Sequence, residues 1–402
     1  MASTISAPRE HGLDWLRVIA FTILIGYHTG MFFVPWDFHI KNPERSESLT
    51  WVMLFFNRWR LPLLFLISGA GVAFALRRRG YAEFAGERLR RLLLPLVFGM
   101  LVVVPPQIYF ERLDQGIQFA SYLDFWKTVF AFQTYPQGNL SWHHLWFVVY
   151  ILVYSLVCIP VFAALKSRRG QAAVDAFARF CEKPGAIYLI GLPNLAIAAW
   201  LGPKWPTTHN LIADWANLTG ALLTFLWGFV ICGNGRFFDL IVRKRRELLL
   251  FALVMTVLFY GYRLTPLRES WTPLQRMSAS MLIDSYMGFG WILALLGWSR
   301  VKLNRDSPLL RYATEAVYPF YIVHQTITIA IAYYMIPWTA PVAVKFPLLA
   351  AGTFLGSWAV FEVVRRNPVT RLLFGMKAKP PAYRAAQLGE FQSVPGTDSH
   401  AS

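Results

Sequence analysis

The sequence predicts an all-α fold: a polytopic transmembrane helical bundle of about ten helices, with N and C termini cytoplasmic. Three observations carry this expectation. Hydrophobic residues make up 56% of the chain and charged ones only 15%, a mixture suited to lipid and not to a set of soluble domains. The apolar residues fall in runs long enough to cross about 30 Å of hydrocarbon. Lys and Arg, which give a net charge of +17, collect in alternate connections between those runs.

The runs begin near Trp15, Val52, Leu92, Leu145, Ala186, Leu211, Leu248, Met277, Ala313 and Ala343. Pro193 interrupts the fifth, and Pro95, Pro105 and Pro106 are expected to shorten the third, because proline removes an i→i−4 hydrogen bond. The even-numbered connections hold four basic clusters. These are Arg77 to Arg79 with Arg88, Arg90 and Arg91; Lys166, Arg168, Arg169, Arg179 and Lys183; Arg243 to Arg246; and Arg300, Lys302, Arg305 and Arg311. With Arg365, Arg366 and Arg371, about 27 basic residues fall on this side and about 9 on the other, which marks it as cytoplasmic. Residues 1–376 read as the membrane domain and 377–402, rich in Pro, Ala, Ser and Gly, as a disordered cytoplasmic tail. A dozen polar residues precede the first run with no small-residue cleavage site after it, so that run reads as a retained helix. Within the external segment from Gln107 to His144, the aromatic stretch Tyr122 to Phe132 is expected to lie along the interface.

Basic residues interspersed with apolar runs form no continuous face for nucleic acid. The widely spaced Cys158, Cys181 and Cys232 supply neither a disulfide framework nor a metal cluster. Neither a metal nor a permanently bound cofactor is therefore expected.

An ionisable side chain in hydrocarbon costs several kcal/mol unless it faces a cavity or a partner, so each one in a run is a functional candidate. In the first run, Asp14, Arg17 and His28 fall on one helical stripe, within roughly 20° to 40° of one another, with His28 about 16 Å beyond Arg17 along the axis. In the ninth, Thr314, Tyr318, Tyr321, His324 or Gln325, and Thr328 recur at three- and four-residue spacing. Arg60 in the second run is placed to bind an anion or to pair with Asp284 of the eighth, while Arg58 can snorkel. Arg88 and Arg91 lie one turn apart where the third run starts, as a topological signal or as a phosphate clamp. The adjacent His143 and His144 point apart on a helix, which argues against a metal shared between them. His39 and Asp37, in the first external connection, are compatible with substrate binding or with plain solvent exposure, and exposure is the expectation. For each of these groups a plain structural role stands beside the functional one: a packing histidine, a snorkelling arginine, or hydroxyls that tie helices together.

The constellation resembles the membrane-bound acyltransferase-3 family. The resemblance is carried by Leu13-Asp14-Trp15-Leu16-Arg17 with His28, Trp59-Arg60 through Phe65-Leu66-Ile67-Ser68-Gly69, Arg88-x-x-Arg91 with Pro95, Pro106-Gln107, His144-Leu145-Trp146-Phe147, and Tyr318-Pro319-Phe320-Tyr321 with His324. It implies a bacterial inner-membrane enzyme that moves an acyl group from cytoplasmic acyl-coenzyme A to a hydroxyl of a periplasmic or envelope glycan. It further implies that His28 is catalytic and that Arg88 and Arg91 bind the donor. Arg17 fits the donor side too. Asp14, Arg60, Asp284, Tyr321, His324 and His144 are expected to line the acceptor side or the cavity. The sequence lacks the Glu that many sugar-acetylating relatives carry just after the stretch matched by His144-Leu145-Trp146-Phe147, and it lacks their fused external domain. The competing expectation is a transporter or flippase for an anionic solute lined by Arg60, Asp284 and His324, but the paired broken helices that it calls for are not seen.

Overall fold

The computed structural model describes residues 10–378, so all but the first two residues of the expected tail lie outside the described part. The described chain is helical, with one isolated bridge between Thr134 and Leu140 and no strand. The helices in chain order are α1 (His11–Met31), α2 (Glu47–Ala75), α3 (Tyr81–Asp114), the short α4 (Tyr122–Lys127), α5 (Trp146–Val157), α6 (Ile159–Lys166) and α7 (Arg168–Cys181). Then follow α8 (Leu192–Leu201), α9 (Trp215–Gly233), α10 (Gly235–Arg243), α11 (Arg245–Leu264), α12 (Pro273–Lys302), α13 (Pro308–Met335), α14 (Val342–Val364) and α15 (Pro368–Leu373).

Each apolar run of the sequence falls in one of these helices or in a helical pair. By length and composition, six are able to cross a membrane: α2, α3, α9, α11, α12 and α14. The segment His143–Val157 and α6, bent by 53° at Cys158 and Pro160, make a seventh if they are taken as one span. The fifth run is the short apolar segment Ala186–Leu201, whose first turns are 3₁₀ before Pro193 opens α8. Neither α1 nor α13 is among the six, and these are the two helices that carry the polar stripes.

The third run departs from expectation. Its prolines do not shorten it: α3 is a continuous 34-residue segment. Two π-turns, Leu89–Leu93 and Gly99–Val103, lie next to Pro95 and just before Pro105, and the widened turns accommodate the missing N–H groups. Pro105 and Pro106 occupy the first turn of the segment that follows, where proline is favoured.

The most extensive interface joins α2 to α9 and depends on two glycines. A Cβ on Gly69 would lie 1.8 Å from the Phe225 carbonyl oxygen, and one on Gly228 would lie 1.9 Å from that of Leu66. Such close backbone approach is what stabilises helix pairs where lipid removes the hydrophobic drive. Helix α1 lies against α2, α12, α13 and α14, which places its polar stripe in the protein interior.

The basic clusters of the even-numbered connections meet at one end of the bundle. Lys166 donates to the Leu76 carbonyl and Arg77 to that of Gly233. Arg236 and Arg243 both reach Glu182, while Arg300 pairs with Asp239 and with Glu10. Arg91 Nε donates to the Gly375 carbonyl. At the opposite end the connection after α1, the end of α3 and the residues before α5 converge.

Candidate active site

His28 of α1 and His324 of α13 face each other with Nδ1 of the first 2.7 Å from Nε2 of the second, their ring planes within 7° of parallel. Surrounding groups fix the direction of this bond. His324 Nδ1 lies 2.7 Å from the Tyr321 carbonyl oxygen, which only accepts, so Nδ1 carries the proton and Nε2 the lone pair. His28 must then donate from its own Nδ1. Its Nε2 makes no hydrogen bond among the described residues. His324 is fully buried, whereas His28 keeps partial exposure.

A third imidazole adjoins the pair. The His144 ring stands edge-on to His324 at 5.3 Å between centroids. His144 Nε2 donates to the Ile322 carbonyl at 3.0 Å, so its Nδ1 accepts from Gln107 Nε2 at 3.3 Å. The Gln107 amide also donates to Thr326 Oγ1 at 2.7 Å and accepts from Gln325 Nε2 at 3.1 Å. Tyr321 donates its hydroxyl to the His144 carbonyl. The sequence-predicted His28, His324, Tyr321 and His144 are therefore brought together, from three separate helical segments.

Arg60 lies near both His28 and His324. Its guanidinium lies 3.3 Å above the Tyr27 ring, and the residue is only 3% exposed. Nε and Nη1 have no hydrogen-bond partner, and no carboxylate among the described residues pairs with it. The alternative partner suggested by sequence is excluded by geometry. Asp284 instead bridges Arg58 at 3.0 Å and Arg263 at 2.7 Å, lining a separate crevice with Asn194, Thr224 and Trp227. Nor does Asp284 approach His28, whose partner is an imidazole and not a carboxylate.

Toward the basic end, Arg17 is 3.4 Å from Asp14. Arg88 sits over the Phe84 ring, close to Arg91, Arg17 and Arg79, with its Nε buried and unpartnered. Arg91 contacts Glu87 at 3.4 Å. Between this group and the histidine pair runs a series of rings. Tyr318 stacks on Tyr321 at 6.4 Å and Tyr321 lies 5.9 Å from His324, with Phe21 of α1 edge-on to Tyr321. The Tyr318 hydroxyl and Thr314 Oγ1 are buried without hydrogen-bond partners among the described residues, an arrangement that proteins rarely retain without a use for it.

Sequence reasoning missed two groups. Glu111 is a 3% exposed carboxylate near the end of α3, hidden because the third run was ended at the prolines. His39, expected to be exposed, packs against it with Nδ1 2.6 Å from Glu111 Oε2.

A histidine pair set between helices, with a series of rings leading to it from the basic end, is the main polar feature inside this membrane-protein bundle. The chain belongs to the acyltransferase-3 family, whose acyltransferase-domain model matches residues 10–362. Among its relatives, Glucans biosynthesis protein C of Salmonella typhimurium is 24% identical over 395 residues, covering 96% of this chain and 99% of that one. The protein of the same name from Salmonella heidelberg is 24% identical over 389 residues, covering 94% and 97%. No solved structure matches the chain.

Proposed function

We propose that this multi-pass membrane acyltransferase is an O-acyltransferase that takes its acyl group from cytoplasmic acyl-coenzyme A and delivers it to a hydroxyl of a periplasmic or cell-envelope glycan. The observation that carries the reading is the oriented pair of His28 and His324, which leaves one imidazole lone pair free near a buried guanidinium that no carboxylate among the described residues pairs with. The names of the relatives support a glucan as the acceptor class. Ten crossings in a bacterial inner membrane, with both termini and the basic end in the cytoplasm, fit the alternation of the basic clusters. The tail from residue 377 is taken as a cytoplasmic appendage to the membrane domain.

In this scheme Arg88, Arg91 and Arg17 hold the coenzyme A phosphates, and the thin pantetheine arm follows the seam past Tyr318 and Tyr321. His28 Nε2 accepts the proton of the acceptor hydroxyl as that oxygen attacks the thioester carbonyl. The imidazolium that forms is held by its Nδ1–H bond to His324. Charge developing on the carbonyl oxygen is met by Arg60. Collapse of the tetrahedral species expels the thiolate, which takes the proton back from His28, giving an ester and free coenzyme A. No metal or bound cofactor enters the scheme.

The test is release of free thiol by purified protein given acyl-coenzyme A and an oligosaccharide acceptor. Thiol release is expected with the wild type and is expected to fall about 10²–10⁴-fold in His28→Ala. Full activity in a folded His28→Ala protein removes the histidine from the chemistry. Solute uptake into vesicles without thiol release from any donor replaces the enzyme with a transporter.

A further inference from the structure

At the end of the bundle opposite the basic clusters, His39, Glu111 and His143 bring three ligating atoms within 4.8 Å of one another. We propose that these residues bind a divalent transition-metal ion of the zinc class. The inference stands apart from acyl transfer, since none of the three belongs to the reacting pair.

The residues come from three places in the chain: the connection after α1, the last turns of α3, and the 3₁₀ turn that precedes α5. Two imidazoles and a carboxylate form the borderline donor set that suits zinc and similar ions better than magnesium or calcium. A tetrahedral ion with bonds of about 2.1 Å needs its ligand atoms about 3.4 Å apart. His39 Nδ1 and Glu111 Oε2 now lie 2.6 Å apart and all three ligand atoms lie within 4.8 Å of one another, so an ion calls for only a small rearrangement of the cluster.

Each ligand also has its other polar atom held from behind, the arrangement that orients side chains toward a metal. Glu111 Oε1 accepts the Tyr135 hydroxyl at 2.6 Å and the Gln115 amide at 3.4 Å, leaving Oε2 for the centre. His39 Nε2 accepts the Gln325 side-chain N–H at 3.1 Å, which holds the ring with Nδ1 toward the centre; ligation through Nδ1 needs the Gln325 amide turned so that its oxygen accepts an Nε2 proton. His143 Nδ1 lies 2.9 Å from Ser141 Oγ, while its Nε2 is buried with no hydrogen-bond partner among the described residues. That orphan nitrogen is the second, independent sign of a ligand, because a buried imidazole nitrogen facing a carboxylate and another imidazole asks for a cation or a proton. On binding an ion, the Nδ1 proton that His39 now donates to Glu111 is replaced by the metal and the ring takes its proton at Nε2 instead, so the imidazole stays neutral.

Three protein ligands leave a fourth position to water, as in sites that stay open. The ion would tie three separate segments into one cap over the outer mouth. His143 directly precedes His144, so the cap would also hold the segment that aims His144 toward His324.

The test uses the full-length chain, free of any affinity tag, purified in detergent and stripped with a chelator. Titration with zinc chloride by calorimetry, with retained metal measured by elemental mass spectrometry, is expected to give one ion per chain and a raised thermal midpoint; magnesium is expected to give neither. Glu111→Gln and, separately, His143→Gln are expected to weaken zinc binding by at least about 100-fold. His143→Ala serves if either variant fails to fold. Absence of zinc uptake by the wild type, or unchanged uptake and affinity in folded variants, overturns the site.

Discussion

A neutral imidazole has two inequivalent nitrogens, and the hydrogen bond made by one decides what the other is free to do. For His28 that decision is made by His324, and for His324 by a backbone carbonyl that cannot change its role. His324 is thus a positioning residue. In His324→Ala, kcat is expected to fall by about 10²-fold with KM nearly unchanged, because the substrates still bind while His28 loses its tautomer and orientation. His324→Gln offers a carbonyl oxygen to the same Nδ1–H and should recover part of the loss; a variant series in which both changes act alike would reduce His324 to packing. Arg60 invites the opposite comparison. A buried guanidinium with two unpartnered nitrogens is costly, and its contact with Tyr27 returns about 2 kcal/mol. Arg60→Met is therefore expected to raise stability by about 1 kcal/mol or more in thermal denaturation, yet to lower kcat by about 10²-fold. At this scale the sequence was informative wherever a polar residue stood in an apolar run, as His28, Arg60 and His324 did. It was silent where partners come from distant segments. Nothing in the spacing from residue 39 to 111 to 143 announces a cluster, and the pairing of Asp284 with Arg263 in place of Arg60 depends on which faces α11 and α12 turn to α2.

Among the elements, proline and glycine show how far local rules reach. The prolines of the third run are expected from sequence to shorten it, but α3 absorbs them by widening to π-turns and continues through Pro105. A residue-by-residue rule marks the missing hydrogen bond and does not say whether the helix ends or swells, since that depends on what the neighbouring helices hold in place. The error mattered because it put Glu111 into a loop. Glycine gives a sharper contrast within one helix. Gly69 lies against the backbone of α9, while Gly71, two residues on and turned away, has open space where a Cβ would go. Gly69→Ala is expected to destabilise the protein by about 1–3 kcal/mol through overpacking, and Gly71→Ala to be neutral or stabilising by up to about 1 kcal/mol from helix propensity. Thermal unfolding of the two variants in the same detergent measures the difference, and equal midpoints would mean that the α2–α9 contact yields easily to an extra methyl group.

For the whole molecule, the helical class and the interior position of the polar stripes were legible from apolar periodicity, because lipid leaves few alternatives to a helical bundle. The number of crossings was less so: α1 and α13 are too polar, and Ala186–Leu201 too short, to qualify by hydropathy alone, and each depends on protein neighbours to shield what lipid would reject. Sidedness is open to a direct chemical test, since the native thiols supply little background. Cys158, Cys181 and Cys232 are all buried, and burial pushes the Cys181 thiol up to about 11, so less than about 0.1% of it is thiolate at pH 7.5. Its reaction with maleimide is accordingly expected to be negligible in folded protein at that pH, and to appear only on denaturation. Against this background, Arg169→Cys in the basic connection and Thr207→Cys in the connection before α9 should label from opposite faces of sealed membranes. If the basic end is cytoplasmic, an impermeant maleimide added to intact cells whose outer membrane admits it reaches residue 207 and not residue 169, and inverted vesicles reverse the pattern. Labelling of both from one face would mean an even number of crossings between them, in place of the single crossing assigned to Ala186–Leu201, and would move the histidine pair's outer mouth to the wrong side of the membrane for a glycan acceptor.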